Sequence, residues 1–403
     1  MGGAPVLVAG GIATPRGFRA AGISAGIKSS GNLDLMLLVA DAPAQAAAVF
    51  TTNKVVAAAV SVSKDHLQRL GGAVRAIVVN SGCANACTGD QGVKDAREMT
   101  SATARLVGCP VEQVLVASTG VIGVNLPMDK VRAGIPAAFN ALGADQGPAA
   151  ARAIMTTDLS PKESAARITI GGRDATIGGM AKGAGMIEPN MATMLGFVTT
   201  DASVPKPLLD RALRDAVDRS FNAITVDGDS STNDCVMLLA SGASGVTIDD
   251  ASYGAFLEGL TAVCRELALA IVRGGEGATK LVTVNVTGAA SGVEARRAAK
   301  VIANSLLVKT AIHGGDPNWG RLICAAGRAS VALDASRAAV TIGSLVLFKD
   351  GQPHDELAPA AADYLKGTDL TIGVDLGSGS ASSTVWTCDL SAEYVRINAD
   401  YRT

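Results

Sequence analysis

The chain has 403 residues, of which 48% are hydrophobic, 18% charged and 3% aromatic. That composition excludes a disordered chain, and the length exceeds one ordinary core, so two or three domains packed mainly through Ala, Val, Leu and Ile are expected. A net charge of −2 gives no basic stripe and excludes a nucleic-acid binder.

In chain order, short apolar runs alternate with amphipathic stretches, which predicts an α/β (α+β) protein with mixed sheets layered with helices. Residues 75–80 read as a buried strand running into a Gly-containing loop. Residues 90–106 read as a helix. A second buried strand spans 113–117 and ends at Ser118-Thr119-Gly120. Residues 167–170 and 175–177 flank Gly171-Gly172-Arg173, a hairpin signal. Pro near the start and apolar residues at helical spacing predict a surface helix over 205–222, and 253–272 predicts another. Strands follow at 281–286, 339–348, 369–374 and 381–388. The Gly-rich stretches near 178–190 and 287–293 are the candidate domain boundaries.

The longest uncharged run, 113–128, contains Gly and Pro and is shorter than the ~20 apolar residues of a membrane helix. The opening Met1-Gly2-Gly3-Ala4-Pro5-Val6 lacks the basic start and apolar core of a secretory signal, and position 6 lacks the Ser or Thr of a myristoylation site. The seven cysteines contain no CxxC pair, and His66, His313 and His354 lie far from the nearest two, Cys83 and Cys87. Reduced thiols, no metal site and a cytoplasmic location are expected.

With 46 glycines, backbones must approach one another or a ligand closely at many points. Two nucleotide signatures can be tested directly. Gly274-Gly275-Glu276-Gly277-Ala278-Thr279-Lys280 follows its Lys with Leu281, where a phosphate-binding loop needs Ser or Thr, and puts a carboxylate where phosphate would lie. Gly183-Ala184-Gly185 leads into Met186-Ile187-Glu188-Pro189, and Pro189 prevents the helix that a dinucleotide fingerprint must open. Neither fits.

The stretch 182–197 passes from a Gly-rich loop through a Pro turn into a strand that would begin at Thr193. Read locally, Thr193 is a β-branched residue at a strand start, where Thr is common. A sharper reading is that its hydroxyl attacks the carbonyl of Ala192. An N→O acyl shift and hydrolysis would then free Thr193 as a new N-terminus. Its α-amino group, with an ordinary pKa of about 7.7–8.0, could serve as base for its own hydroxyl. The three histidines offer no obvious Ser/His/Asp arrangement.

The segment Lys182-Gly183-Ala184-Gly185-Met186-Ile187-Glu188-Pro189-Asn190-Met191-Ala192-Thr193-Met194-Leu195 resembles the cleavage-site signature of the ornithine acetyltransferases of arginine biosynthesis. These are also called bifunctional glutamate N-acetyltransferases. Further blocks are similar to the same family: Asn80-Ser81-Gly82-Cys83-Ala84-Asn85-Ala86-Cys87-Thr88-Gly89, Ser118-Thr119-Gly120-Val121-Ile122-Gly123 and Met155-Thr156-Thr157-Asp158. So are Thr225-Val226-Asp227-Gly228-Asp229, Glu276-Gly277-Ala278-Thr279-Lys280, Asp316-Pro317-Asn318-Trp319-Gly320-Arg321 and the ending Asn398-Ala399-Asp400-Tyr401-Arg402-Thr403. Two positions depart from the family pattern. Cys83 stands where Asn is usual, and Gly274 stands where Asp is common.

The resemblance implies a self-processing, N-terminal-nucleophile-like acyltransferase cut between Ala192 and Thr193 into an α piece, 1–192, and a β piece, 193–403, sharing one core. It implies that Thr193 is the nucleophile and that Thr119 and Gly120 form the oxyanion hole. It makes Thr156, Lys182, Thr193, Glu276, Asn398 and Thr403 substrate contacts. Acetyl would pass from N2-acetylornithine through a Thr193 ester to glutamate. An α2β2 assembly without metal or nucleotide cofactor is expected. The core blocks are the same whether or not acetyl-CoA also serves as donor. Without the resemblance, Ser118-Thr119-Gly120 reads as a strand exit and Lys182 and Glu276 as solvated loop charges. Two other functions share many of these features: an N-terminal-nucleophile amidohydrolase or aminopeptidase passing the acyl group to water, and an unprocessed binding protein.

Overall fold

A computed structural model describes residues 4–69, 71–188 and 194–400. The first part of the chain carries β1 (Val6–Val8), β2 (Phe18–Ile23), β3 (Leu35–Phe50), α1 (Ala58–Arg69), β4 (Ala73–Cys83), α2 (Gly89–Val107) and β5 (Val114–Val121). Then come α3 (Met128–Asn140), α4 (Gly147–Ala153), β6 (Lys162–Ile170), β7 (Arg173–Lys182), β8 (Leu195–Thr200), α5 (Lys206–Asp218) and β9 (Cys235–Ala240). These strands form one nine-stranded mixed sheet in the order β1-β6-β7-β8-β9-β3-β4-β5, with β2 paired to β3.

β3 explains how one sheet makes two halves. Its first residues pair with β2 and β4, and its last six pair with β9. Between them the register shifts, and Asp41-Ala42-Pro43 stand exposed, a place where Pro fits because no ladder hydrogen bond is required of it. The strands on either side are apolar on both faces, and alternate residues enter different cores. Met36, Leu38, Ile77, Val79 and Leu115 join Leu195, Phe197, Met237 and Leu239 in one cluster, so the two halves pack face to face. The opposite residues, Leu35, Leu37, Val78 and Val116, pack under α1, α2 and α3. Val198, Val236 and Leu238 pack under α5 and α6 (Tyr253–Arg273). The result is helix, half-sheet, half-sheet, helix. Each buried Val, Leu or Ile contributes about 1.5–3 kcal/mol, so register is strongly fixed.

The last third builds a second sheet. It carries β10 (Leu281–Ala289), α7 (Gly292–Ala303), α8 (Leu306–Gly314), α9 (Trp319–Gly327), β11 (Ala339–Ile342), β12 (Leu345–Lys349) and β13 (Gln352–Pro353). It ends with α10 (Ala358–Tyr364), β14 (Asp369–Asp375), β15 (Ala381–Cys388) and α11 (Ala392–Asp400). Six strands run in the order β13-β12-β11-β14-β10-β15, over a core shared with α7 and α9. The two units meet where Thr225 N–H donates to the Trp386 carbonyl at 2.9 Å.

Several expected elements need correction. The stretch 339–348 is a hairpin, β11 and β12, turned at Gly343-Ser344. The helix expected over 205–222 ends at Asp218 and is followed by a short 3-10 turn, Phe221–Ala223. Neither Gly-rich stretch is a boundary: Gly178 and Gly179 lie inside β7, paired on both sides, and residues 287–289 belong to β10. The strand expected from Thr193 is described from Leu195; Thr193 itself lies outside the described residues. Among the described residues, no helix is long and apolar enough to cross a membrane.

Candidate active site

β4 and β5 are parallel and end together. Where they end, Gly82 faces Gly120, whose φ of +128° favours glycine, and a Cβ on Gly120 would lie 2.3 Å from the Gly82 carbonyl carbon. The strand exit is therefore tight. Polar side chains lock it further: Ser118 Oγ donates to Asn80 Oδ1 at 2.7 Å, and Asn233 Nδ2 donates to the Ser118 and Ala84 carbonyls at 2.8 and 2.6 Å. Thr119 sits at this rigid exit. Its Oγ1 accepts from Lys182 Nζ at 3.3 Å. An ammonium can only donate, so the Thr119 hydroxyl proton is left to donate elsewhere.

Lys182 ends β7 and is buried. Burial lowers its pKa, and the charges of Asp158, Asp234 and Glu276 work against that. Asp158 organises the neighbouring backbone. Its Oδ1 accepts from Lys162 Nζ at 2.5 Å and Gly183 N–H at 2.7 Å, and its Oδ2 accepts from Thr156 N–H at 3.0 Å. Burial alone would raise the Asp158 carboxyl, but Lys182, Lys162 and these hydrogen bonds hold it down at about 2. Asp234 is the contrast. Burial pushes it well above the usual carboxylate range despite its contact with Ser231, and among the described residues its Oδ2 has no partner.

Glu276 arrives from the turn after α6, with its N–H bonded to the Ala184 carbonyl at 2.8 Å. Its carboxylate lies against Gly185, where a Cβ would meet Oε2 at 2.4 Å. Asn398, on α11, donates to the same oxygen at 2.8 Å. Tyr394, one turn earlier, donates to Asp227 Oδ2 at 3.2 Å. Thus the final helix contributes Tyr394 and Asn398 to the lining of the site.

These groups surround one cavity of about 220 Å³. Of the residues expected at the site, Thr119, Gly120, Thr156, Lys182, Glu276 and Asn398 all line it, together with Met194. Ala192, Thr193 and Thr403 lie outside the described residues. Lys182 and Glu276 are buried, at 9% exposure each, rather than solvated loop charges. Asp158, Asp227, Asn233 and Asp234 complete the surroundings, and motif reading assigned them no role. For Asp158 the signal was present, two residues after Thr156 in the same block. None of the three histidines lines the cavity. Cys83 is buried beside the site with its thiol against the Val124 carbonyl, and Gly274 caps α6 near the Lys162 ammonium.

A family model described as the ArgJ family matches residues 19–403. The arginine biosynthesis bifunctional protein ArgJ of a Synechococcus species is 51% identical, over 98% of each chain. That of Symbiobacterium thermophilum is 50% identical, over 98% of this chain and 99% of its own. A crystal structure of the protein of the same name from Bacillus halodurans has 45% identity and a TM-score of 0.50, covering 52% of this chain and 100% of the solved one.

Proposed function

The chain belongs to the ArgJ family, acyltransferases of arginine biosynthesis, and from that premise we propose that it acetylates glutamate through an ester on Thr193. The observation that carries this reading is the convergence of Thr119, Gly120, Thr156, Lys182, Glu276 and Asn398, from separate segments, around a cavity bordered by Met194, the residue bonded to Thr193.

The chain first cuts itself. The Thr193 hydroxyl attacks the Ala192 carbonyl, the C–N bond breaks as the ester forms, and water releases the Ala192 carboxylate. The α-amino group of Thr193, near its ordinary pKa of about 7.7–8.0, then takes the proton of its own hydroxyl. This supplies the base that no histidine provides at the cavity. The acetyl group of N2-acetylornithine moves to Thr193, ornithine departs, and glutamate accepts the acetyl group as N-acetylglutamate. Thr119 and the Gly120 N–H stabilise the oxyanion in each half-reaction. Lys182 suits an α-carboxylate, and Glu276 suits an ammonium or a proton relay, with Thr156, Asn398 and Thr403 as further substrate contacts. The bifunctional names of the relatives support acetyl-CoA as a second donor. No resident metal or nucleotide is needed for these steps, and an α2β2 assembly in the cytoplasm suits the reading.

The solved Bacillus halodurans chain supports the cut: it matches 52% of this chain along its whole length, the share that residues 193–403 would occupy. A denaturing gel with N-terminal sequencing tests the proposal. Two fragments should appear, the larger beginning at Thr193, and Thr193→Ala should leave one inactive full-length chain. A cut elsewhere, or a cut Ala variant, would remove Thr193 from its role. Glutamate-dependent formation of N-acetylglutamate separates transfer from hydrolysis to water.

A further inference from the structure

We infer that Glu188, Lys300 and Asn304 form a clamp that positions the chain for cleavage between Ala192 and Thr193; the inference rests on the processing reading above and extends it.

The chain is held on both sides of the junction by a single segment, 225–235. Before the junction, Met186 and Ile187 N–H groups donate to the Asp227 carboxylate at 2.7 and 2.8 Å. The Ile187 carbonyl accepts from Val226 N–H at 2.7 Å, and Glu188 N–H donates to the Asp229 carbonyl at 2.8 Å. The Glu188 carbonyl accepts from Ser230 Oγ at 3.1 Å. After the junction, the Met194 carbonyl accepts from Cys235 N–H at 3.0 Å.

The Glu188 side chain reaches past this segment into the other structural unit. Its carboxylate accepts from Asn304 Nδ2 and lies 3.9 Å from Lys300 Nζ. Both partners sit at the C-terminal end of α7. They are themselves fixed: Thr225 Oγ1 donates to Asn304 Oδ1 at 2.7 Å, and Lys300 Nζ donates to the Ile224 carbonyl at 2.8 Å. None of the three clamp residues lines the cavity. They can act on the chain but not on a bound amino acid.

The N→O shift needs the hydroxyl of one residue close to the carbonyl carbon of the residue before it. Fixing both ends of a short intervening stretch removes much of the entropy cost of that approach. The clamp takes no part in bond making. It links Glu188, on the piece that would end at Ala192, to residues of the piece that would begin at Thr193.

The test follows conversion of newly made full-length chain into two fragments. Asn304→Asp sets one carboxylate against another, and Glu188→Ala removes the grip; each should slow cleavage at least about tenfold, the scale of a charge-assisted hydrogen bond. The double variant Glu188→Gln with Asn304→Asp exchanges amide and carboxylate and should recover to within about threefold of the native rate. Once cut, each variant should keep its kcat/KM for acetylornithine to within about twofold. Native-rate cleavage in both single variants, a double variant as slow as Asn304→Asp, or an equal loss of kcat/KM in cut enzyme would each overturn the clamp. A native chain that never cleaves would instead overturn the processing reading. If a single variant fails to fold, the double variant still decides.

Discussion

In its charged form Lys182 has no lone pair to offer, and that fixes what Thr119 can do beside it. With its oxygen already accepting from the ammonium, Thr119 is oriented to donate its proton, as a developing oxyanion requires. Thr119→Ala should therefore lower turnover about 10²–10³-fold, while acetylornithine binding changes much less. Thr119→Ser should retain most activity. Unchanged turnover in a folded, cut Ala variant would return Thr119 to a structural role. Asp158 supplies the charge that makes the buried Lys162 and Lys182 tolerable. Its carboxyl is held at about 2, below the ordinary 3.8, so its stabilisation is complete above the ordinary value. That contribution fades as pH falls through 3.8 towards 2 and is worth about 2 kcal/mol. Urea titrations from pH 7 to pH 2 should show Asp158→Asn clearly less stable at neutral pH, with the gap closing below pH 4. A gap independent of pH would contradict this charge balance.

Two glycines show how elements, rather than single side chains, shape the site. At Gly120 an added Cβ meets the backbone of β4 at 2.3 Å and the φ is +128°, so nothing nearby can yield cheaply. Gly120→Ala should lose at least about 2 kcal/mol of stability, seen as a fall in Tm. At Gly185 the obstructing atom is the end of the flexible Glu276 side chain. Gly185→Ala should hold stability within about 1 kcal/mol yet raise KM for acetylornithine about tenfold, matching Glu276→Gln. Equal effects of the two substitutions on Tm would undo the distinction. The same scale shows what sequence can reveal. Strands β4 and β5 are legible because their central runs, Ala76–Val79 and Val114–Ala117, are apolar and buried on both faces. The β6–β7 hairpin is legible from Gly171-Gly172. α7 carried a readable start, Ser291 capping the N–H of Glu294, but its short run of alanines obscures the apolar stripe. β3 escapes because Asp41-Ala42-Pro43 interrupt its pattern at the bend. The family blocks marked most of the cavity, whereas Asp234 and Asn233 owe their positions to a contact between distant strands that no local spacing encodes.

At the scale of the whole molecule, the proposed junction lies in sequence between β7 and β8, neighbouring strands of one sheet, rather than between the two structural units. β8 and β9, which follow residue 193, are inserted between β7 and β3, which precede it. They pair antiparallel to β7 over six positions and antiparallel to β3 over six more. Their residues enter both cores flanking that half-sheet, Leu195, Phe197 and Met237 on one face and Val198, Val236 and Leu238 on the other. Pulling the two pieces apart would open both cores and strip hydrogen bonds from two central strands, at a cost of about 1.5–3 kcal/mol for each large side chain exposed. Cutting one peptide bond removes none of those contacts. The cut enzyme should therefore run as one species on size exclusion without denaturant. It should also unfold in a single cooperative transition, with calorimetric and van't Hoff enthalpies in agreement. The uncut Thr193→Ala chain is the control and should unfold with a similar enthalpy. Once denatured and separated, the piece beginning at Thr193 should fail to refold alone, because β8 and β9 would present two unpaired apolar edges to water. A fragment that refolds by itself, or two resolved transitions in the cut enzyme, would show that the pieces hold separate cores.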